Sequence, residues 1–301
     1  MEGINPWIRE KHNPIIVVVP GSWRESATAN PDLLFFRDYY FLYYRGQQGG
    51  HDRIGVMTVF KLRFDGKTWI EYPGNPIIDV GPPGSFDCQH VLDPASVVVN
   101  KTIYLYYSAI GAGPDSIGLA TSRNGFTFEK YDRPVLVGRA PEVVYRDGLF
   151  YLFYVDDNDV GGYKINLAVS SNGYDFSIYP ENPILTPGPP GSWDSQTVTT
   201  PRIFFENGLY YMVYAGDDSS KDSPKGFGLA TSRDLYHWTK YPGNPIFLPS
   251  GGNNWDGSFI WFGTVHKVKD TYYMWYEGRG PEGPSQVGLA TMKADYFYVK
   301  P

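Results

Sequence analysis

Three carboxylates sit at comparable places in three successive stretches of this chain: Asp32 follows Pro31, Asp93 precedes Pro94 and Glu142 follows Pro141. Carboxyl groups gathered in a partly dry funnel repel one another, which raises one pKa and leaves another ionised. Such a set supplies an acid and a base side by side. Glycoside cleavage needs that pair, one carboxylic acid protonating the leaving oxygen while a carboxylate activates water or attacks carbon. At the equivalent places further along stand Arg202, after Pro201, and Thr264, after Gly263. Arg202 presents a planar fork suited to a sugar hydroxyl, or equally to a structural ion pair with Glu142.

These residues are carried by a unit that returns five times. An aromatic residue, usually followed by Asp, stands eight positions before a Pro or its equivalent, as in F-D-C-Q-H-V-L-D-P (Phe86 to Pro94) and W-D-S-Q-T-V-T-T-P (Trp193 to Pro201). W-R-E-S-A-T-A-N-P (Trp23 to Pro31) and W-D-G-S-F-I-W-F-G (Trp255 to Gly263) are further copies, and A-P-E-V-V-Y from Ala140 is a shortened one. Each leads through a hairpin such as R-I-F-F-E-N-G-L-Y-Y-M-V-Y to a short strand such as G-L-A-T-S, a turn, a fourth strand and a closing N-P-I. Four up-and-down strands per copy make a propeller blade, so the sequence predicts an all-β, five-bladed β-propeller with four antiparallel strands per blade. Residues 1–301 then form a single catalytic domain, and the N-terminal N-P-I at Asn13 closes the ring against the last blade, leaving no exposed sheet edge.

In that architecture the first strand of every blade faces the central channel, and the residues beside each Pro equivalent converge on it. Structural repeats place similar residues at equivalent sites, so the places where the copies disagree are the informative ones. Asp87, Asp194 and Asp256 recur in one register and read as structural. Gln89 and His90 break that register and are candidates to face a substrate. Arg45 and Glu277 follow the second strands of the first and last blades, reaching either the rim or each other. Trp261 lies outside the recurring aromatic register and is the better candidate for a ring platform under a sugar. His266 is a candidate sugar contact or metal ligand.

The composition sets limits. The 301 residues carry 32 Asp and Glu against 26 Lys and Arg, for a net charge of -6, with no cationic run to capture nucleic acid or an anionic membrane. Tyr numbers 25 and Gly with Pro fill the turns, a strand-rich inventory. Cys88 is the one cysteine, which excludes an intrachain disulfide framework. The first residues lack the apolar segment of a signal peptide, so the expected location of the chain as it stands is cytoplasmic, with secretion or a periplasmic location left open to a leader outside it.

The five-blade pattern, the W-D-S, G-x-Y-Y-x-x-Y, G-L-A-T-S and W-x-K-Y-x-x-N-P-I elements, and the acidic residues of the first three blades resemble the five-bladed propeller glycosidases, among them glycoside hydrolase families 43, 32, 117 and 130. The resemblance spans nearly the whole chain. By blade order it implies Asp32 as base or nucleophile, Asp93 as an orienting or tuning carboxylate and Glu142 as general acid. It also implies a channel-facing His266 beside a metal ion in the channel, structural rather than required for catalysis. The expected activity is an inverting glycosidase acting on a neutral oligo- or polysaccharide, of arabinose-type furanoside linkage by analogy with family 43. The alternative is a glycoside phosphorylase similar to family 130, which sets a single acid beside a cationic pocket drawn from Arg45, Arg139, Arg202, His266 and Arg279. A third reading is a sugar-binding propeller without catalysis, which would repeat its binding residues from blade to blade.

Overall fold

The runs that follow each hairpin turn have no polar face. In Leu209–Asp217 (LYYMVYAGD) every residue is buried, the pattern of a strand covered on both sides. The sheets must therefore pack face to face. The computed structural model, which describes residues 6–156 and 161–296, is all-β and built of antiparallel sheets with four-stranded runs. In the first unit β2 (Ala27–Phe36), β3 (Tyr39–Gln48), β4 (His51–Phe60) and β5 (Ile70–Glu71) follow β1 (Ile8–Arg9). The second holds β6 (His90–Val99), β7 (Thr102–Ile110), β8 (Ser116–Ser122) and β9 (Glu129–Lys130), with β10 (Leu136–Val137) also on β8. The third comprises β11 (Arg139–Arg146), β12 (Leu149–Val155), β13 (Ile165–Ser170) and β14 (Ser177–Ile178); the fourth comprises β15 (Thr197–Glu206), β16 (Leu209–Asp217), β17 (Gly226–Ser232) and β18 (Thr239–Lys240). The last consists of β19 (Phe259–Val268), β20 (Thr271–Arg279) and β21 (Gln286–Lys293), with β1 antiparallel on β21 through Ile8↔Thr291. One parallel bridge, Asp52↔His90, fuses the first two units into a continuous nine-stranded sheet.

Apolar clusters fill the seams between neighbouring units. Ile54, Val56, Val91 and Ile103 join the first to the second, and Ile16, Leu42, Tyr44, Trp275 and Leu289 join the last to the first. The recurring Trp residues are seam packing: Trp23 lies against Gly46 and Gly55, where any Cβ would collide with its ring, and Trp193 and Trp255 sit likewise on Gly216 and Gly278.

Polar contacts within the units repeat as faithfully as the apolar packing between them. Asp87 accepts from the hydroxyl of Tyr107 and pairs with Lys130. Asp194 does the same with Tyr214 and Lys240, and Asp256 with Tyr276 and Arg9. In each case the Tyr lies twenty residues beyond the Asp and the cation is the second residue of the outermost strand. Arg9, on β1, thus takes in the last unit the place that Lys240 holds in the fourth. Asn13 likewise bonds both backbone groups of Leu289, as Asn75 bonds Val56, Asn182 bonds Leu167 and Asn244 bonds Leu229.

The feature that shapes the channel lies in the innermost strands. Each skips two residues in its pairing with the next strand: between Ala29 and Asp32, Leu92 and Ala95, Arg139 and Glu142, Thr199 and Arg202, and Trp261 and Thr264. The first skipped residue is left-handed every time, with φ of 49° at Asn30, 54° at Asp93, 49° at Ala140, 46° at Thr200 and 52° at Phe262. Left-handed non-glycine residues cost on the order of 1–3 kcal/mol each and persist where the surroundings over-determine them. The second skipped residue is Pro in four of the strands and Gly263 in the fifth, and Pro, which lacks a ladder donor, is tolerated at a bulge.

Candidate functional site

The bulge turns the residue before each Pro one way and the residue after it the other. Asn30, Asp93, Ala140, Thr200 and Phe262 all face a cavity of about 650 Å³. Asp32, Glu142, Arg202 and Thr264, joined by Ser96, face a different cavity of about 440 Å³. Period-two alternation alone would turn the residues on either side of the Pro, two positions apart, to the same face; the bulge is what separates Asp93 from Asp32 and Glu142.

In the first cavity Asp93 is buried and its Oδ2 accepts from Ser108 Oγ at 2.7 Å, while that hydroxyl accepts from the backbone N–H of Ala140 at 2.8 Å. Burial raises the Asp93 pKa above the usual carboxylate value despite the charges of Arg139, Arg45 and Arg202. Glu277, buried nearby and also raised by burial, accepts from Asn30 Nδ2 at 2.9 Å and faces Arg45 Nη2 at 4.0 Å. Cations surround these two acids. Arg45, Arg139, Lys221 and Arg279 all border the cavity, Arg139 with Asp115 at 3.5 Å and Lys221 over the Tyr163 ring at 4.3 Å. Trp261 forms part of its wall.

Three buried polar atoms on this wall, Asn30 Oδ1, Arg45 Nε and Thr200 Oγ1, have no hydrogen-bond partner among the described residues. Leaving a buried polar group unsatisfied costs about 1–3 kcal/mol. Three such atoms on one wall leave hydrogen-bonding capacity open towards the cavity.

The second cavity differs in having its charges already engaged. Glu142 accepts from the backbone N–H of Ile203 at 2.9 Å and from Arg202 Nη1 at 3.1 Å. Arg202 also donates to the bulge carbonyls of Pro141 and Pro94, both at 2.9 Å, and its guanidinium lies 4.7 Å from the Phe262 ring centroid, so it stands between the two cavities. Asp32 accepts from Ser96 Oγ. Burial pushes Asp32 up to about 6 and Glu142 up to about 8, Arg202 opposing in both cases. Asp32 and Glu142 border one cavity, apart from Asp93, and both accept hydrogen bonds from the protein.

His266 borders the second cavity, edge-on to Tyr40, with burial lowering its pKa to about 4. Among the described residues no three His, Cys, Asp or Glu side chains gather to hold a metal ion, so His266 has no set of co-ligands there. Gln89 and His90 do not border the first cavity: the Gln89 carbonyl pairs with His51 Nδ1 at 2.8 Å, and His90 Nδ1 lies 2.8 Å from Asp52 Oδ2. Of the cations offered for a phosphorylase pocket, Arg45, Arg139 and Arg279 meet in the first cavity; Arg202 and His266 do not. Lys221, Tyr163 and Asp52 went unnoticed in the sequence because they belong to no repeated register.

The family model of glycoside hydrolase family 130, described as β-1,4-mannooligosaccharide phosphorylase, matches residues 134–250. A 1,2-β-oligomannan phosphorylase of Thermoanaerobacter sp. (strain X514) is 25% identical over 223 residues, covering 67% of this chain and 69% of the relative. Among solved structures, a β-1,2-mannobiose phosphorylase from Listeria innocua in complex with β-1,2-mannobiose superposes with a TM-score of 0.76 at 15% identity, over 96% of this chain and 97% of that one. A family 130 structure, from a family of mannoside phosphorylases that contains glycoside hydrolases targeting β-1,2 mannosidic linkages in Candida mannan, gives a TM-score of 0.75 at 16% identity, over 98% and 96%. The sugar named in these descriptions is mannose, and the expectation of an arabinose-type furanoside finds no support in them. With its all-β sheets, its bulged inner strands and these matches, the chain shares the fold of these glycoside hydrolases and phosphorylases and is similar over residues 134–250 to family 130.

Proposed function

We propose that residues 1–301 form one five-bladed catalytic domain, with β1 completing the last blade, and that it catalyses inverting phosphorolysis of a β-mannoside in the first cavity. The observation that carries this reading is the setting of Asp93, a buried acid of raised pKa, among Arg45, Arg139, Lys221 and Arg279 on the same wall. Raising the pKa of a carboxyl favours the protonated form, which can give its proton to the leaving glycosidic oxygen. Cations beside it can hold inorganic phosphate and neutralise its charge as it attacks. One phosphate oxygen bonds to the anomeric carbon as the C–O bond to the leaving sugar breaks, and the Asp93 proton ends on the freed hydroxyl. Attack from the opposite face converts a β-mannoside into an α-mannosyl phosphate. Trp261 supplies the apolar face for a sugar ring, and Asn30 Oδ1 and Thr200 Oγ1 take its hydroxyls.

Hydrolysis is the second reading, favoured by Glu277, which shares the cavity and could serve as base for a water molecule. Its bond from Asn30 and its proximity to Arg45 support a holding role instead. Incubating the protein with β-1,2- and β-1,4-linked mannobiose, with and without inorganic phosphate, separates the two. Mannose 1-phosphate formed only with phosphate supports phosphorolysis, whereas free mannose at an equal rate without phosphate overturns it.

A further inference from the structure

Arg45 is the most enclosed cation of the first cavity, and its surroundings extend beyond the cavity wall. Its side chain is 16% exposed, with Nε 3.5 Å from Asp52 Oδ1 on one side and Nη2 4.0 Å from Glu277 Oε1 on the other. Neither contact is a tight hydrogen bond, and Nε has no hydrogen-bond partner among the described residues. The guanidinium is thus centred between two carboxylates with donors to spare, which is how an anion-binding arginine must be held if the anion is to take those donors.

Asp52 is itself fixed. Its Oδ1 accepts from Gln47 Nε2 at 3.1 Å and its Oδ2 lies 2.8 Å from His90 Nδ1. Burial pushes its carboxyl up, but the His90 hydrogen bond and the Arg45 charge outweigh it and keep the group below the usual carboxylate value, hence ionised. His90 comes from the second unit, and Asp52↔His90 is the backbone bridge that joins the first two units. The side-chain contact and the backbone bridge therefore lock one seam at the point where Arg45 projects.

We propose that Asp52 and His90 act together as positioning residues for Arg45, setting the orientation in which its guanidinium receives phosphate. The proposal rests on the phosphorolysis reading. Neither residue borders the cavity, so their influence passes through Arg45 and falls on phosphate affinity rather than on the bond-breaking step. Outer partners that orient a ligand-binding group typically change its affinity by about 10-fold or more when removed.

The test uses the full chain with inorganic phosphate as the probe, by isothermal titration and by KM for phosphate at saturating mannobiose. Asp52→Asn and His90→Phe are expected to raise the phosphate Kd and KM about tenfold, the loss falling on KM rather than kcat. His90→Asn, which returns an N–H donor near the Nδ1 position, is expected to recover most of the affinity. If wild-type protein binds phosphate, Arg45→Ala abolishes binding, and folded Asp52→Asn and His90→Phe stay within twofold of wild type, this proposal alone is overturned. A wild-type protein that neither binds nor requires phosphate overturns the phosphorolysis reading and this proposal with it.

Discussion

Arg24 and Glu71 form in the first unit the same contact that Asp87 makes with Lys130 in the second, with the charges exchanged. Arg24 follows Trp23 as each Asp follows its aromatic residue, Glu71 is the second residue of the outermost strand, and Tyr44, twenty residues beyond Arg24, donates to Glu71 instead. Arg24 Nη2 meets Glu71 Oε2 at 2.8 Å, and Trp23 Nε1 donates to Glu71 Oε1 at 3.2 Å. The blade thus keeps the pair and reverses its sense, which says that the contact matters and its polarity does not.

A charge swap tests that conclusion. Arg24→Asp and Glu71→Lys should each lower the melting temperature, because each leaves a like charge against a half-buried partner. The double variant should recover most of the loss, with a coupling of about 0.5–3 kcal/mol in a double-mutant cycle by chemical denaturation. Additive losses would show that the pairing contributes nothing.

Catalysis should separate the two cavities. Asp93→Asn is expected to lower kcat by about 10²- to 10⁴-fold, the usual contribution of a general acid, with the fold retained by circular dichroism. Glu142→Gln should stay within about tenfold of wild type, since Glu142 faces the other cavity. A reversed ranking in steady-state assays with mannobiose and phosphate would return the acid role to Glu142.

Stability should fall as pH rises through neutrality. Glu142 has a folded pKa raised to about 8, so its contribution is fully present below its unfolded value near 4.3 and is lost as pH climbs through 8. Asp32, raised to about 6, acts in the same sense at lower pH, whereas His266, lowered to about 4, acts oppositely between about 4 and 6.5. The clear window is therefore pH 6.5 to 8.5. Melting temperatures there should decline for wild type and flatten in Glu142→Gln; a rising or equally steep profile in the variant would refute the assignment.

Aromatic residues should divide by register. Trp255→Ala should cost about 3–5 kcal/mol of stability, the usual penalty for emptying a packed aromatic site, because Trp255 lies on Gly278 and Gly288 in a seam. Trp261→Ala should leave the melting temperature nearly unchanged and raise KM for the mannoside roughly 5- to 10-fold, in line with an aromatic contact of about 1 kcal/mol. Equal thermal losses in the two variants would place Trp261 in the scaffold.

The strand content and the structural place of the recurring Asp and N-P-I residues were legible in the sequence because they are written in repeats; the Tyr hydroxyl that meets each Asp, at constant spacing, went unread. The site was only half legible. Arg45, Arg139, Glu277, Asp93 and Trp261 were all named, and Asp32 and Glu142 were read as the chemical pair; that these two face a different cavity from Asp93 is not reported by blade order, which ranks residues without saying which way they turn. That direction is decided by a left-handed residue before Pro, a backbone choice that neither hydrophobic period nor side-chain type reports. Lys221 and Tyr163 come from the stretches between strands, where nothing recurs against which to compare them.

The repeated bulge has a consequence for how such a ring can change over time. Because the residues on either side of each Pro face different cavities, a substitution before the Pro can alter the wall of the first cavity while the surroundings of Arg202 stay as they are. Asn30 and Asp32 lie two residues apart in the chain, yet they border separate cavities.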